Sequence, residues 1–555
     1  MRRRSIYRVG LCALALLAGC GVNVPHVPVL ENPRAGRTFY LSPDGDDGDD
    51  GRAPRTAWRT LRRADAVRLQ PGDRLLLKGG TRFPGTLSIG PGDAGNARRP
   101  VVIGSYGTGR AVIAAAGTRG IGVYDTSGVV VRDLIVAGDA TSYRSQDGVG
   151  FVSDLPGKRK LPYLRVTGVD VSGFRNGIRL HGGREGAGFR DVVVDDCAVH
   201  GNRDAGLVSD GPAFDAHAPE YAHERVTVSK VVAYRNDGDP GAAGHNTGSG
   251  IVLGSVRQGV VEGSDAHDNG ASSSPRAVEG PEGIWTYDST RIVLQRNVAH
   301  DNHSGSRVDG GGFDLDNNVS HSLMQYNLSY GNDGAGFLAF TAVPDNAHTD
   351  NTIRYNIGRD NARKLADYGG IVVVGSRIGS LAIYQNTVVA RANGSVRAPA
   401  LRLRPRLGAV SVRNNVFVAD GSPVVAGQGA FGTSEVVMQG NDYHSPEGPG
   451  VQWGERRYSD LAAWRKETGQ ETQGRRATGT GADPCLAEVR VPAAGRDPRG
   501  TGPTLGAPTS RCARALAGAA VDLRAVGIDA GPVDYFGTPL TGTPGLGAVP
   551  VAPKA

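Results

Sequence analysis

With five cysteines in 555 residues and none at the spacing that holds zinc, the chain cannot be a zinc-stabilised domain. It has no basic stripe interleaved with aromatics. The formal charge of +7 is a small excess of interspersed basic residues, in which arginine greatly outnumbers lysine, and it gives no ground for a nucleic-acid partner. Long apolar runs are also missing, and the one near the start, Val9 to Leu17, is too short to span a bilayer. The helical signatures of tetratricopeptide and ankyrin repeats are absent as well. What remains is a glycine-rich chain, with 83 glycines and 39% hydrophobic residues, as expected of a folded protein built from short strands and tight turns.

A period runs through it. Leu294-Gln-Arg-Asn297, Met324-Gln-Tyr-Asn327, Ile353-Arg-Tyr-Asn356, Ile383-Tyr-Gln-Asn386, Val412-Arg-Asn-Asn415 and Met438-Gln-Gly-Asn441 follow one another at steps of 30, 29, 30, 29 and 26 residues. A second series holds Asn202, Asn236, Asn269, Asn302, Asn332 and Asn361. Such spacing describes a solenoid in which each asparagine marks a turn of one coil, its amide bonding the amides above and below. These asparagines are read as structural.

Between the series lies a phrase of the form Gly-apolar-x-apolar-x, from Gly177-Ile-Arg-Leu-His181 to Gly370-Ile-Val-Val-Val374. Strand alternation turns Ile178, Leu207, Ile251, Ile284, Phe313, Phe337 and Ile371 into the core. The third and fifth residues then face out. Stacked by coil, those outward pairs include Trp285 with Tyr287, then Asp314 with Asp316, then Leu338 with Phe340. Aromatic rings suit sugar faces and paired carboxylates suit glycosidic chemistry. The candidate catalytic residues are therefore Asp314 and Asp316, with Glu282 and Asp333 next. The candidate substrate-binding residues are Trp285, Tyr287, Phe340, Arg402 and Arg404. His181, His300, His303 and His348 are assigned no chemistry.

At the ends, Arg2 to Arg4, the apolar Val9 to Leu17 and Leu17-Ala-Gly-Cys20 resemble a bacterial lipoprotein signal. The expectation is a signal over 1–19, lipid attachment at Cys20, a tether over 20–37 and an extracytoplasmic, membrane-anchored monomer. Residues 38–100 are expected to form an N-terminal cap with a short helix and the first coils, 101–444 the coils, and 445–555 a C-terminal cap. Cys485 and Cys512 are the plausible disulfide pair, with Cys197 a small buried apolar residue.

The opening, Thr38-Phe-Tyr-Leu-Ser-Pro-Asp-Gly followed by an acidic glycine loop and Ala57-Trp-Arg-Thr-Leu, resembles secreted right-handed parallel β-helix carbohydrate enzymes of the pectate-lyase-like and glycosidase families. The resemblance implies an all-β, right-handed single-stranded parallel β-helix. Asp309-Gly-Gly-Gly-Phe-Asp-Leu-Asp316 and Asn332-Asp-Gly-Ala-Gly-Phe337 are also similar to the calcium-dependent members, in which Asp309 and Asp333 would hold Ca2+. The position where that pattern carries lysine is Asp316. A glycoside hydrolase that needs no cofactor is accordingly favoured, with a calcium-assisted uronate lyase and a non-catalytic glycan-binding solenoid as alternatives.

Overall fold

The computed structural model describes residues 36–115, 119–140, 146–490, 504–508, 512, 516, 518–540 and 545–549; Cys20 and the signal and tether up to residue 35 lie outside them. The chain winds as a parallel β-helix whose coils each contribute one strand to three sheets in turn. The first sheet has 14 strands, from Thr38–Leu41 to Val436–Gln439. The second has 13, from Arg82–Pro84 to Asp442–His444, and the third has 14, from Leu87–Ile89 to Arg456–Tyr458. Every pairing within these sheets is parallel except the last of the third, where Arg456–Tyr458 folds back on Val451–Trp453.

Register follows the sequence phrases. In the third sheet Ile178 lies beside Leu207, Leu207 beside Ile251, then Ile284, Phe313, Phe337 and Ile371 in one continuous column, all fully buried. Stacking like on like fills the interior without a gap, because each rung presents the same shape to the next.

Both asparagine series are inside the corners. Asn297 Nδ2 donates to Asn327 Oδ1 at 3.1 Å, and the relay continues through Asn356, Asn386, Asn415 and Asn441 at 2.9–3.0 Å. The second relay, from Asn202 to Asn361, has the same geometry. The residue before each ladder member is left-handed: Arg296, Tyr326, Tyr355, Gln385 and Asn414 have φ between 50° and 56°. That backbone costs about 1 kcal/mol or more for a non-glycine residue, and the buried amide ladder offsets it.

The ends are covered. At the N-terminal end the helix is Leu61–Asp65, shorter than its amphipathic stretch, with Thr60 as N-cap and Leu61 and Ala64 buried. The aspartates of the preceding loop serve as turn acceptors, Asp47 for Arg59 N and Thr60 N. At the other end the helix is Leu461–Thr468, capped by Asp460, whose carboxylate accepts from both Ala462 N and Ala463 N. Cys485 and Cys512 form a disulfide, and Cys197 is buried in the coil core.

Candidate functional site

The outer face of the third sheet carries a groove of about 1010 Å³ over six successive rungs, from Asn176 and Arg179 to Phe340. Its floor is set by register. Arg179, Val208, Val252, Trp285, Asp314 and Leu338 form one outward column. A second outward column, which strict alternation conceals, runs through Asn176, Ala205 and, further along, Glu282 and Gly311.

The cause is the glycine of each phrase. A Cβ on Gly283 would stand 2.8 Å from Asn302 Nδ2 inside the coil, so Gly283 and Ile284 both point inward and the alternation slips by one residue. Glu282 is thereby turned toward the groove. Its carboxyl leans over the next rung, where a Cβ on Gly311 would lie 2.5 Å from Oε2; only glycine leaves that room.

Four carboxyl groups meet here. Asp314 is 4% exposed and Glu282 2%, and neither Glu282 oxygen has a hydrogen-bond partner. Burial raises both well above the usual carboxylate range, and the neighbouring acids add to it, Asp316 and Glu282 around Asp314, Asp309 and Asp316 around Glu282. Asp316 follows the strand Gly311–Leu315, is half-buried, and is pushed up to about 8 by burial and the fields of Asp309, Asp288 and Glu279. Asp309 is raised less, to about 6. Burial lifts it, while two donors hold it down: Gly280 N to Oδ2 at 2.7 Å and the Tyr368 hydroxyl to Oδ1 at 3.0 Å. None of the four is ion-paired to a described lysine or arginine.

Trp285 lies beside Asp314 in register, its Nε1 donating to Ser249 Oγ at 3.1 Å and its ring 5.3 Å from that of Tyr287. Phe340 and Tyr368 wall the same end. Both Trp285 and Asp314 are sheltered at the groove floor by the loops beside it, rather than standing open on the sheet as an alternating exterior would suggest.

Three sequence candidates fall elsewhere. Asp333 sits in a turn off the groove, accepting from Ser304 N, with His303 Nδ1 at 3.6 Å and Lys364 Nζ at 3.8 Å. It comes one coil after Asp309 in the adjoining corner, where Gly334 N donates to Gly310 O, but its carboxylate is turned to Ser304, His303 and Lys364. Arg402 is in the Asp314 column three rungs on, yet its Nε and Nη2 donate to the carbonyls of Tyr368 and Ala366, and Arg404 Nη2 donates to Asp367 O. Those arginines hold the loop that presents Tyr368 and do not reach the groove. For Ca2+ the donor set does not fit: both Asp309 oxygens are committed, Asp333 accepts from Ser304 N and lies beside a lysine, and among the described residues no three metal-binding side chains converge.

Sequence reasoning placed Asp309 only as a calcium ligand and missed Tyr368. Both come from turns, where periodicity gives no facing. The sequence signal that existed was density: Glu279, Glu282, Asp288, Asp309, Asp314 and Asp316 all line the groove.

A family model described as a right-handed beta helix region matches residues 160–322. A lacto-N-biosidase from Bifidobacterium longum subsp. longum is 25% identical over 484 residues, covering 69% of this chain and 29% of that protein, so the chain spans less than a third of that relative's length. Among solved structures, XylC in complex with xylose matches with TM-score 0.51 at 10% identity, covering 93% of this chain and 99% of that chain. A lacto-N-biosidase from Eubacterium ramulus matches with TM-score 0.49 at 18% identity, covering 67% and 66%. The chain is a right-handed parallel β-helix protein that resembles carbohydrate-active enzymes.

Proposed function

We propose that this protein is a glycoside hydrolase that binds an oligosaccharide along the groove and cleaves it at Asp309 and Asp316. The observation that carries the reading is a cluster of carboxyls at one end of a sugar-sized groove, without a cation beside it, whose members are driven to different protonation states. Glycoside hydrolysis needs one carboxylic acid to protonate the leaving oxygen and one carboxylate to act as base or nucleophile. Environments that push two acids apart assign those roles. Near neutral pH Asp316, at about 8, keeps its proton, and Asp309, at about 6, has lost it.

Asp314 and Glu282, the more enclosed pair, serve a different purpose. Held neutral by burial, they add no charge to the site, and the proton on Asp316 is sustained by its own burial and by the fields of Asp309, Asp288 and Glu279. Trp285 and Tyr287 offer a ring surface beside the reacting bond. An elimination mechanism lacks support, since Lys364 donates to Ser304 O and faces Asp333, and Arg402 and Arg404 are engaged by loop carbonyls. The relative's name points to lacto-N-biosides as the first substrates to try. The lipoprotein-like N-terminus supports a lipid anchor at Cys20 and action outside the cytoplasm on free glycans.

The test is product analysis of the purified chain on a panel of oligosaccharides that includes lacto-N-biosides. New reducing ends are expected, and Asp309→Asn and Asp316→Asn should each lower kcat/KM by about 100-fold or more. Unsaturated uronate absorbance, or full activity in both variants, would overturn the assignment.

A further inference from the structure

The groove has a second polar end. Arg179 Nε donates to Asp210 Oδ2 at 2.7 Å from the neighbouring rung, and His181 Nδ1 bonds the other Asp210 oxygen. Burial opposes ionisation of Asp210, but the hydrogen bonds from His181 and Arg179 outweigh it and hold the carboxyl below its ordinary range. Beside this pair, Arg175 Nη2 donates to Asp204 at 2.6 Å, and Phe214 closes the lining. Between this end and the carboxyls the floor is Ala205, Val208 and Val252, which present nothing polar from their side chains.

Rung counting gives the separation. Arg179, Val208, Val252, Trp285 and Asp314 are successive partners, four steps, which at ~4.8 Å per rung is about 19 Å. A disaccharide cannot touch both ends, and a tetra- to hexasaccharide can. The cluster is also electrically balanced, each arginine facing its own aspartate. Arg179 Nη1 and His181 Nε2 have no partner among the described residues. The free Arg179 Nη1 and His181 Nε2, with the Asp210 carboxylate beside them, match the vicinal hydroxyls of a neutral sugar, and the Asp210 carboxylate so close to those donors weighs against an anionic one.

We infer that the Arg179–Asp210 cluster, with Phe214, is a distal subsite that holds a neutral sugar residue of an oligosaccharide whose other end lies at Asp309 and Asp316. The inference rests on the hydrolase reading for the position of the cleaved bond, but binding alone can test it. The ligand class is thereby narrowed to neutral glycans longer than a disaccharide, laid along the rungs with their apolar faces over Val208 and Val252.

The experiment is calorimetric titration of the full chain carrying Asp316→Asn with lacto-N-biose and with lacto-N-biosyl-terminated tetra- and hexasaccharides. Kd should tighten about tenfold from the shortest to the longest ligand. Adding Arg179→Met with Asp210→Ala should weaken the hexasaccharide about tenfold and the disaccharide less than twofold. Phe214→Ala, which disturbs no ion pair, should show the same selective loss and guards against misfolding of the double variant. Equal Kd at all lengths, equal losses at all lengths, or no binding of any of the three ligands would overturn the subsite. Length-dependent binding together with no turnover by the unsubstituted chain would uphold the subsite and remove only the hydrolase reading.

Discussion

Asp309 and Tyr368 show how a hydrogen bond helps to tune a buried carboxyl. The hydroxyl of Tyr368 donates to Asp309 Oδ1 and accepts from Asp309 N, while Arg402 and Arg404 fasten the backbone of its loop. On the hydrolase reading proposed above, Asp309 acts ionised, hence above about pH 6, and Asp316 protonated, hence below about pH 8, which gives a bell centred near neutrality. Tyr368→Phe removes a bond that favours the charged form, so the Asp309 pKa rises and the acidic limb moves up. A charge-assisted hydrogen bond of about 1.5 kcal/mol corresponds to roughly one pH unit. The profile of kcat/KM against pH checks this, with the alkaline limb, set by Asp316, expected to stay in place. An unmoved acidic limb with reduced kcat would mean that Tyr368 acts on substrate and does not tune Asp309.

At the scale of the coil, the sequence spoke clearly wherever the backbone repeats and poorly wherever it does not. Trp285 beside Asp314 could be read from the phrases because strand pairing fixes rung against rung. Glu282 stands in the acid-rich stretch from Glu279 to Asp316, yet its facing depends on the inward slip at Gly283, where a Cβ would meet Gly312 O at 2.7 Å and Asn302 Nδ2 at 2.8 Å. Asp333 follows Asp309 by one coil in the adjoining turn, but spacing does not fix which way a turn side chain points, and its carboxylate accepts from Ser304 N and faces Lys364. The asparagine ladders were fully specified by spacing, but their terminator was not: Glu471, which is 0% exposed, ends the first ladder. Its Oε1 accepts from Asn441 Nδ2 at 2.8 Å and Tyr443 Oη at 2.6 Å, and its Oε2 from Gly440 N at 2.6 Å and Thr478 Oγ1 at 2.8 Å. Donors alone surround it, so an amide must point its own N–H2 at one of them. Glu471→Gln is therefore expected to cost about 3 kcal/mol in denaturant unfolding despite equal shape, more than Asn→Ala at an exposed turn. A loss under 1 kcal/mol would show that the ladder needs no anionic end.

The whole molecule divides its three faces between tasks, and the C-terminal segment decides which face stays free. Val521, Leu523 and Ala530 pack over the row Tyr326, Tyr355 and Tyr384 on the outside of the first sheet. The segment is also tied by Tyr384 Oη to Asp529 O at 2.7 Å, Arg354 Nη1 to the same carbonyl at 3.0 Å and Asn414 Nδ2 to Val521 O at 2.9 Å. Leu516 and Leu546 cover Val416 on the second sheet. Among the described residues the third sheet keeps its groove open over these middle coils. Each buried aliphatic side chain contributes about 1.5–3 kcal/mol, so ending the chain after residue 517 should remove several kcal/mol. In a solenoid each coil contacts only its neighbours, so that loss should stay local. Hydrogen exchange of the truncated chain should show lost protection in the strands from Leu323–Gln325 to Val436–Gln439, with Val129–Arg132 and Lys160–Thr167 as protected as before. Uniform loss along the chain would mean that the coils unfold as one unit, and the groove, which is built on the rungs between Asn176 and Phe340, would then depend on a segment it never touches.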